Sequence, residues 1–558
     1  MVNILYRLLV VNLLGNLLIA LANLLRLPRL RARPAWVRLT VKDPLPSRPP
    51  PHGRWLLRPG VPSLAALSRL CDDLARDPRL QGVVVELRRA PPGFARLESL
   101  RTIIKRLAEA GKRVVVHLSS PSLKEYFVAS AATTILVDES GPLSLVGLAA
   151  EVTFFAGALE KAGARADAEY RGEYKSFAEV FTRKEMSPQH REALEAILVR
   201  IEEAVRDAVS ASRKVEPKVA LEWIQGGPYT AEEAARRGLV DGVCYADEVA
   251  ERLGNVRVGT PSEWRGTRVS PLRYRPLVRV PRKVRVVSLH GAIVTGEGSE
   301  LRRTLGADAA IRALDKARKD RRVAAVVLHV DSRGGSAVGS DLIWRATTRL
   351  SAEKPVIAYF DDVAASGGYY LACGAHKIVA QPGTLTGSIG VVAGKLSFQG
   401  LLERLGLNVT TVRRGDAATM DSVFHGYSDE ERRRLAAEVD ALYAQFVKKV
   451  ALGRKLAPDA AEAAAKGRVW TGIDARDKGL VDSLGDMETA LTIAEDLARR
   501  RPGEKFEHED VHVAPKRRGL VPRILGAELP PLPASLEDIQ LLASEGLLLM
   551  APYSVACK

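Results

Sequence analysis

Short runs of β-branched residues alternate with amphipathic stretches along most of the chain. VAAVVLHV at 323–330 leads into a helical stretch, Ser340–Leu350, and then into PVIAYF at 355–360. This βαβ rhythm predicts an α/β fold with a largely parallel sheet. A long helix is predicted from Ser187-Pro188, with Ser as N-cap and Pro in the first turn. Leu194, Ile197, Leu198, Ile201 and Val205 recur on one face of it.

The N-terminal pattern is different. Residues 4–25, ILYRLLVVNLLGNLLIALANLL, are apolar over about 22 positions, enough to span a bilayer at about 1.5 Å per residue. Asn12, Asn16 and Asn23 share one helical face, with Gly15 beside it. Such a stripe fits a helix packed on another helix, or one lying in the interface, better than a lone span. Ala20-Leu21-Ala22 also has the small-x-small form of a cleavage site, but Arg26, Arg29, Arg31 and Arg33 follow at once and would hinder export. A buried core helix is the plainest alternative. The heavier flanking charge lies C-terminal to the segment, which by the positive-inside rule favours a cytoplasmic C-terminal side.

Self-comparison reveals an internal repeat. GVVVEL at 82–87 matches AVVLHV at 325–330, and KRVVVHL at 112–118 matches KPVIAYF at 354–360. TTILVDESGPLSLVGL at 133–148 matches HKIVAQPGTLTGSIGV at 376–391, and LEKAGARADAEYRGE at 159–173 matches LERLGLNVTTVRRGD at 402–416. YTAEEAARRGLVDGV at 229–243 matches WTGIDARDKGLVDSL at 470–484, and the offset stays between 241 and 243 throughout. A duplicated domain accounts for this. The organisation read from sequence is an anchor helix at 1–25, a basic Pro-rich linker at 26–55, a first repeat at 56–265, a bridge at 266–282, a second repeat at 283–500 and a tail at 501–558.

Length and composition narrow the class. At 558 residues three or four domains are expected on size alone, and 46% hydrophobic with 27% charged residues excludes a disordered chain, a collagen and a coiled-coil rod. Cys71, Cys244, Cys373 and Cys557 lie far apart, against a disulfide scaffold or a CxxC zinc site. About half of the +17 net charge sits in the first 60 residues, beside the apolar segment, and aromatics make up only 5%. That distribution fits a lipid surface and not nucleic acid.

Two Gly-rich turns follow strands in the second repeat: Asp331-Ser332-Arg333-Gly334-Gly335-Ser336 and Ala364-Ala365-Ser366-Gly367-Gly368-Tyr369. Either alone is usually a turn with a helix cap. Together they fit a nucleophilic serine exposed at a helix N-terminus, with neighbouring amides forming an oxyanion hole. A nucleophilic serine needs a base. None of the nine histidines has a triad context, and His376 reads as structural. Lysine is the other candidate, provided burial lowers its pKa far enough to leave it neutral. Lys175 lies beside Tyr174, Phe177, Val180 and Phe181, although from composition alone an i,i+4 pair with Glu179 on a helix surface is the better explanation. His508-Glu509-Asp510-Val511-His512 satisfies HExxH, but that zinc signature requires a helix; here Pro515 follows closely and Val511-His512-Val513 alternates like an edge strand.

GEYKSFAEVFTRKEMSP in the first repeat, with AASGGYY, TLTGSIGVV and GRVWTGIDARDKGLVDSLG in the second, resembles the long, duplicated form of the signal peptide peptidase A family, over nearly the whole chain including its LMAPYSV ending. The resemblance implies two tandem crotonase/Clp-like domains behind an N-terminal membrane helix. It implies Ser366 as nucleophile, Lys175 as general base, Ser388 orienting the lysine, and Gly334, Gly335 and Gly367 as the oxyanion hole. Arg333 stands where the family usually has Pro. No metal, nucleotide or other cofactor is implied. The expected partners are remnant signal peptides or other apolar peptides, the lipid membrane and further copies in a homotetramer. The expected location is the bacterial cytoplasmic membrane, with the catalytic body on the periplasmic face, against the sign of the flanking charge. The repeat offset pairs Ser366 with Lys124 and Lys175 with Ala418, so each repeat keeps one member of the dyad. The rival readings are a crotonase-like acyl-CoA enzyme using only an oxyanion hole, and a non-catalytic membrane scaffold.

Overall fold

The computed structural model describes residues 13–18, 20–21, 34–42, 45–48, 63–267, 282–299, 304–513 and 547–550. Most of the apolar N-terminal segment and of the 266–282 bridge therefore lies outside the described residues. Among those described, no helix is long and apolar enough to cross a membrane. The chain divides into two compact units, one of 1–148 with 202–282 and 556–558, the other of 149–201 with 283–555.

The first unit holds a six-stranded parallel sheet. Its centre is β1 (Trp36–Val41), β2 (Gly82–Leu87), β3 (Arg113–Leu118) and β4 (Thr134–Val137), with Gly242–Val243 and Val258–Gly259 at the edges. Helices α1 (Leu64–Ala75), α2 (Phe94–Glu109) and α3 (Leu123–Ala129) connect them. Residues 36–41 were assigned to the linker by their Pro- and Arg-rich surroundings, yet WVRLTV forms β1. Its apolar residues Trp36, Val37, Leu39 and Val41 are buried, and the alternation outweighs the flanking composition.

In the second unit, α4 (Ala156–Lys161), β5 (Arg165–Arg171) and the start of α5 (Pro188–Arg213) come from the first repeat by sequence. The compact units and the sequence repeat are thus different divisions of the chain. Ser187 Oγ accepts the His190 N–H at 3.1 Å, as expected of the N-cap before Pro188. The main sheet runs through β6 (Lys283–His290), β7 (Val323–Ser332) and β9 (Val356–Ala365), reached through α6 (Ala307–Lys319) and α7 (Ala337–Ser351). A short strand, β8 (Gly334–Ser336), leaves the end of β7. After β9 come α8 (Gly367–Ala372), β10 (Leu385–Gly387), β11 (Val391–Ser397), α9 (Gln399–Arg404), α10 (Asp429–Arg454) and β12 (Val469–Thr471). Alternate residues of β7 face opposite cores: Val326, Leu328 and Val330 pack with α6, α7 and α10, while Ala325 and Val327 pack with α11 (Met487–Ala498).

Two strands come from the region read as a tail. β13 (Glu507–His512) pairs parallel with β6 at the edge of the main sheet. The HExxH residues therefore lie on a strand. Glu509 is salt-bridged to Lys283 and Arg285, and His508 bonds Glu495 at 2.7 Å. β14 (Leu547–Met550) lies in the second sheet of this unit, antiparallel to both β8 and β11.

The repeat recurs in three dimensions. Tyr126 Oη donates to the Leu239 carbonyl at 2.8 Å, and Tyr369 Oη to that of Leu480 at 2.9 Å. Lys112 Nζ donates to Asp77 and Leu80 carbonyls, and Lys354 Nζ to those of Ala317 and Asp320. The tyrosines set the register over the turn before each helix, so Ser366 corresponds to Leu123, one residue from the Lys124 that the offset of 242 selects.

Candidate active site

β9 delivers the chain to Ser366 and α8 carries it away. Ser366 has φ +55° and ψ −115°, a conformation that L-residues rarely adopt, and is fully buried in this chain. Two backbone bonds hold it there: its N–H donates to the Gly387 carbonyl at 2.7 Å, and its carbonyl accepts the Tyr370 N–H at 2.8 Å. Gly368 is required for packing, since a Cβ there would meet the Ser332 carbonyl oxygen at 2.5 Å. Ser388, just past β10, is a second non-glycine residue at positive φ (+50°), with its N–H bound to the Arg468 carbonyl at 2.7 Å. Strain held at two adjacent serines by surrounding backbone bonds is characteristic of a functional site.

Lys175 reaches them from the turn after β5. Its N–H donates to the Gly172 carbonyl at 2.9 Å, and that of Tyr174 to the Lys466 carbonyl at 2.9 Å. Nζ lies 2.7 Å from Ser366 Oγ, 2.9 Å from the Ser388 carbonyl oxygen and 3.1 Å from Ser388 Oγ. The side chain is 1% exposed. Burial holds its pKa well below the usual lysine value. The alternative pair with Glu179 does not form: Glu179 accepts from Ser187 Oγ at 2.6 Å and lies 3.2 Å from His190 Nδ1.

Nζ is within hydrogen-bond distance of all three oxygens. A neutral amine there can donate two N–H groups to Ser388 and turn its lone pair to the Ser366 hydroxyl. Sequence reading missed two residues that make room for this: a Cβ at Gly467 would come within 2.7 Å of Lys175 Cβ, and one at Gly390 within 3.2 Å of its Cδ. Gly467 has φ +73°, and the GRVW context was the only available signal.

The oxyanion candidates differ from one another. Gly334 and Gly335 have φ +106° and +150°, which explains the glycine pair directly. The Gly334 N–H already donates to Ser332 Oγ at 3.1 Å. Gly367 opens α8, where the first amides have no intrahelical acceptor. Sequence reading also missed a histidine chain in this unit: His329 lies 2.9 Å from Asp361 Oδ2 through Nε2 and 3.1 Å from His290 through Nδ1. Both ring nitrogens are thereby engaged, and neither faces Ser366. His376 Nδ1 accepts the Val356 N–H at 3.1 Å, a structural role.

The model of peptidase family S49 matches residues 106–257 and 348–501, one segment in each repeat. The chain is 32% identical over 446 residues to the chloroplastic serine protease SPPA of Arabidopsis thaliana, covering 78% of this chain and 66% of that one. It is 30% identical over 444 residues to Protease 4 of Haemophilus influenzae, 76% of this chain and 71% of the relative. To Protease 4 of Salmonella typhi it is 31% identical over 454 residues, 78% and 72% of the two chains. With more than half of its length matched by the family model, and both repeats included, this chain belongs to peptidase family S49.

Proposed function

We propose that this S49 peptidase cleaves apolar peptides, remnant signal peptides among them, with a Ser366–Lys175 dyad. The carrying observation is Lys175 Nζ 2.7 Å from Ser366 Oγ in a buried site where burial lowers the lysine pKa. Neutral Lys175 takes the proton of Ser366 as Oγ attacks the scissile carbonyl carbon. The tetrahedral oxyanion is received by the Gly335 and Gly367 amides. The intermediate collapses, the C–N bond breaks, and the Lys175 ammonium gives its proton to the leaving amine. Water then attacks the acyl-enzyme, losing a proton to Lys175, which returns one to Ser366. Ser388 keeps Nζ in place through both steps.

Strand pairing supports a peptide substrate. β14 lies between β8, which carries the Gly-Gly turn, and β11, which follows Ser388. An extended segment of this chain thus fits beside the dyad by main-chain pairing, as added peptide strands do elsewhere. The parallel-sheet architecture with Gly-rich turns at strand ends supports reading the two repeats as crotonase/Clp-like.

Membrane attachment through the N-terminal segment, with the body on the periplasmic face, is part of the same reading. The helical residues Leu13, Leu14, Leu17, Leu18 and Leu21 are 55–69% exposed, an apolar surface ahead of the arginine run. Full-length protein found wholly in the soluble fraction at low salt would contradict attachment.

The test of function is peptide hydrolysis by detergent-purified protein against its Ser366→Ala variant. Hydrolysis that disappears in the variant supports the dyad. Equal activity in both would move an oxyanion-hole-only acyl-CoA chemistry ahead, and absence of activity in both would favour a scaffold.

A further inference from the structure

Three segments from distant parts of the chain meet at backbone range around Lys175: 172–175 after β5, 388–390 after β10, and 466–468 before β12. Glycines allow the approach. A Cβ at Gly172 would meet the Lys466 carbonyl carbon at 2.4 Å, and one at Gly390 would meet Gly467 Cα at 3.1 Å. Main-chain bonds then join the segments. The Lys466 carbonyl accepts the Tyr174 N–H at 2.9 Å, the Arg468 carbonyl accepts the Ser388 N–H at 2.7 Å, and the Gly467 N–H donates to the Ile389 carbonyl at 2.8 Å. The base and the serine that seats it therefore hang from the same three residues.

That turn is costly to hold. Lys466 and Gly467 are both left-handed, with φ +52° and +73°, and Lys466 joins Ser366 and Ser388 as a non-glycine residue in this region. Something outside the turn must over-determine it, and the Arg468 side chain is placed to do so. Its guanidinium lies over the rings of Tyr174 and Trp470, 4.7 Å from each centroid. Nη1 donates to Glu192 Oε1 at 2.6 Å, and Tyr174 Oη donates to Glu192 Oε2 at 3.0 Å. Trp470 is itself anchored, since Nε1 donates to the Ala464 carbonyl at 2.9 Å and Lys478 Nζ lies 5.1 Å from its ring. Lys466 Nζ lies 3.2 Å from Glu173 Oε1, a second tie between the same two segments.

A single surface ion pair holds little. Here Arg468, Glu192 and Tyr174 close a ring in which one planar cation stacks and bonds at once. The Arg468 side chain is 19% exposed. Glu192 belongs to α5, from the first repeat, and Arg468 to the second, so the ring joins the two repeats beside the dyad.

We propose that Arg468 is a positioning residue: its guanidinium clamps the 466–468 turn against Tyr174 and Glu192 and thereby fixes Lys175 and Ser388 relative to each other. The inference rests on the Ser366–Lys175 reading above. Arg468 acts through Ser388 and Lys175, not on the reacting atoms. Without the clamp the turn relaxes, the Ser388 N–H loses a fixed acceptor, and water gains access to Nζ. Hydration of Nζ offsets the burial that holds the lysine down, so its pKa moves back up toward the usual value.

The test is the pH dependence of Ser366 acylation by a serine-directed probe in full-length, detergent-purified protein, with kcat, KM and unfolding temperature measured beside it. Arg468→Gln should lower kcat for a short peptide about tenfold, with KM within about twofold of wild type. Its acylation rate should rise at higher pH than that of wild type. Arg468→Lys should share both effects, because an ammonium cannot lie flat on two rings while bonding Glu192. Glu192→Gln, at an exposed helix position, should fold even where Arg468→Gln does not, and should move the profile the same way by less. A lowered unfolding temperature with a wild-type pH profile would overturn the proposal, and so would a wild-type profile in Arg468→Lys. Lys175→Arg separates the two readings. A wild-type rise that survives in Lys175→Arg overturns the dyad and the clamp together. A rise lost in Lys175→Arg but unmoved in the Arg468 variants overturns the clamp alone.

Discussion

Around Tyr126 and Tyr369 the chain builds the same strand-to-helix turn, yet only the second carries the residues proposed for acyl transfer. At the position of the proposed nucleophile Ser366 the first repeat has Leu123. Where the second repeat has Gly334 and Gly335, the first has Pro91 and Pro92, which carry no N–H to donate. In the first repeat Glu125 completes a capping box with Ser122 and accepts the Ala90 N–H at 2.9 Å, so its turn is sealed by polar bonds. In the second, Gly368 occupies the corresponding place and leaves room for Ser332. The lesson is that duplication preserved the scaffold bonds, those of Tyr126 and Tyr369 and of Lys112 and Lys354, and discarded reactive groups from one copy. The proposed base travels the other way: Lys175 is encoded in the first repeat and folds into the unit of the second.

The largest effect that would break this comparison lies in the base. Lys175→Arg should lower kcat/KM for a peptide by about 10³-fold or more, because a guanidinium stays protonated at any usable pH. Retention of most activity would remove the lysine from the mechanism. Ser388→Ala should have a smaller effect, about tenfold and in kcat more than KM, since the Ser388 carbonyl still holds Nζ.

Stability should move in the opposite direction from activity. An unfolded lysine keeps its proton to about pH 10.4, whereas buried Lys175 loses its proton at a lower pH. Between those two values the unfolded chain binds more protons, so stability rises with pH across the window. Below the folded pKa the burial penalty is present in full. Lys175→Met should therefore raise the unfolding temperature by a few degrees, most at low pH, with the gain shrinking toward pH 10.5. A gain that grew with pH would have the wrong sign. The smallest effects belong to the first repeat. Leu123→Ser should not create a second site, so a serine-directed acylating probe should still label one residue per chain. Lys124→Ala should leave hydrolysis within about twofold of wild type.

Much of this was legible in sequence because local rules carried it. The βαβ rhythm and Ser187-Pro188 each reflect a period or a cap that a few neighbouring residues determine. The repeat alone exposes the asymmetry between Lys175 and Ser366. Long-range packing was not legible. The Pro- and Arg-rich flanks of WVRLTV mask its short alternation, nothing near Glu507–His512 or Leu547–Met550 announces a partner hundreds of residues earlier, and the sequence offset missed the Leu123 register by one residue. Gly390 and Gly467 matter because of what they face, Lys175, which sequence distance conceals.

The most direct test of the account is the pH dependence of Ser366 acylation by a serine-directed probe, with the labelled residue identified by peptide mass spectrometry. The account predicts a label on Ser366, a rate that rises with pH through a single ionisation well below 10.5, and loss of that rise in Lys175→Arg. A label elsewhere, or a Ser366 rate that Lys175→Arg leaves unchanged across the pH range, would contradict it.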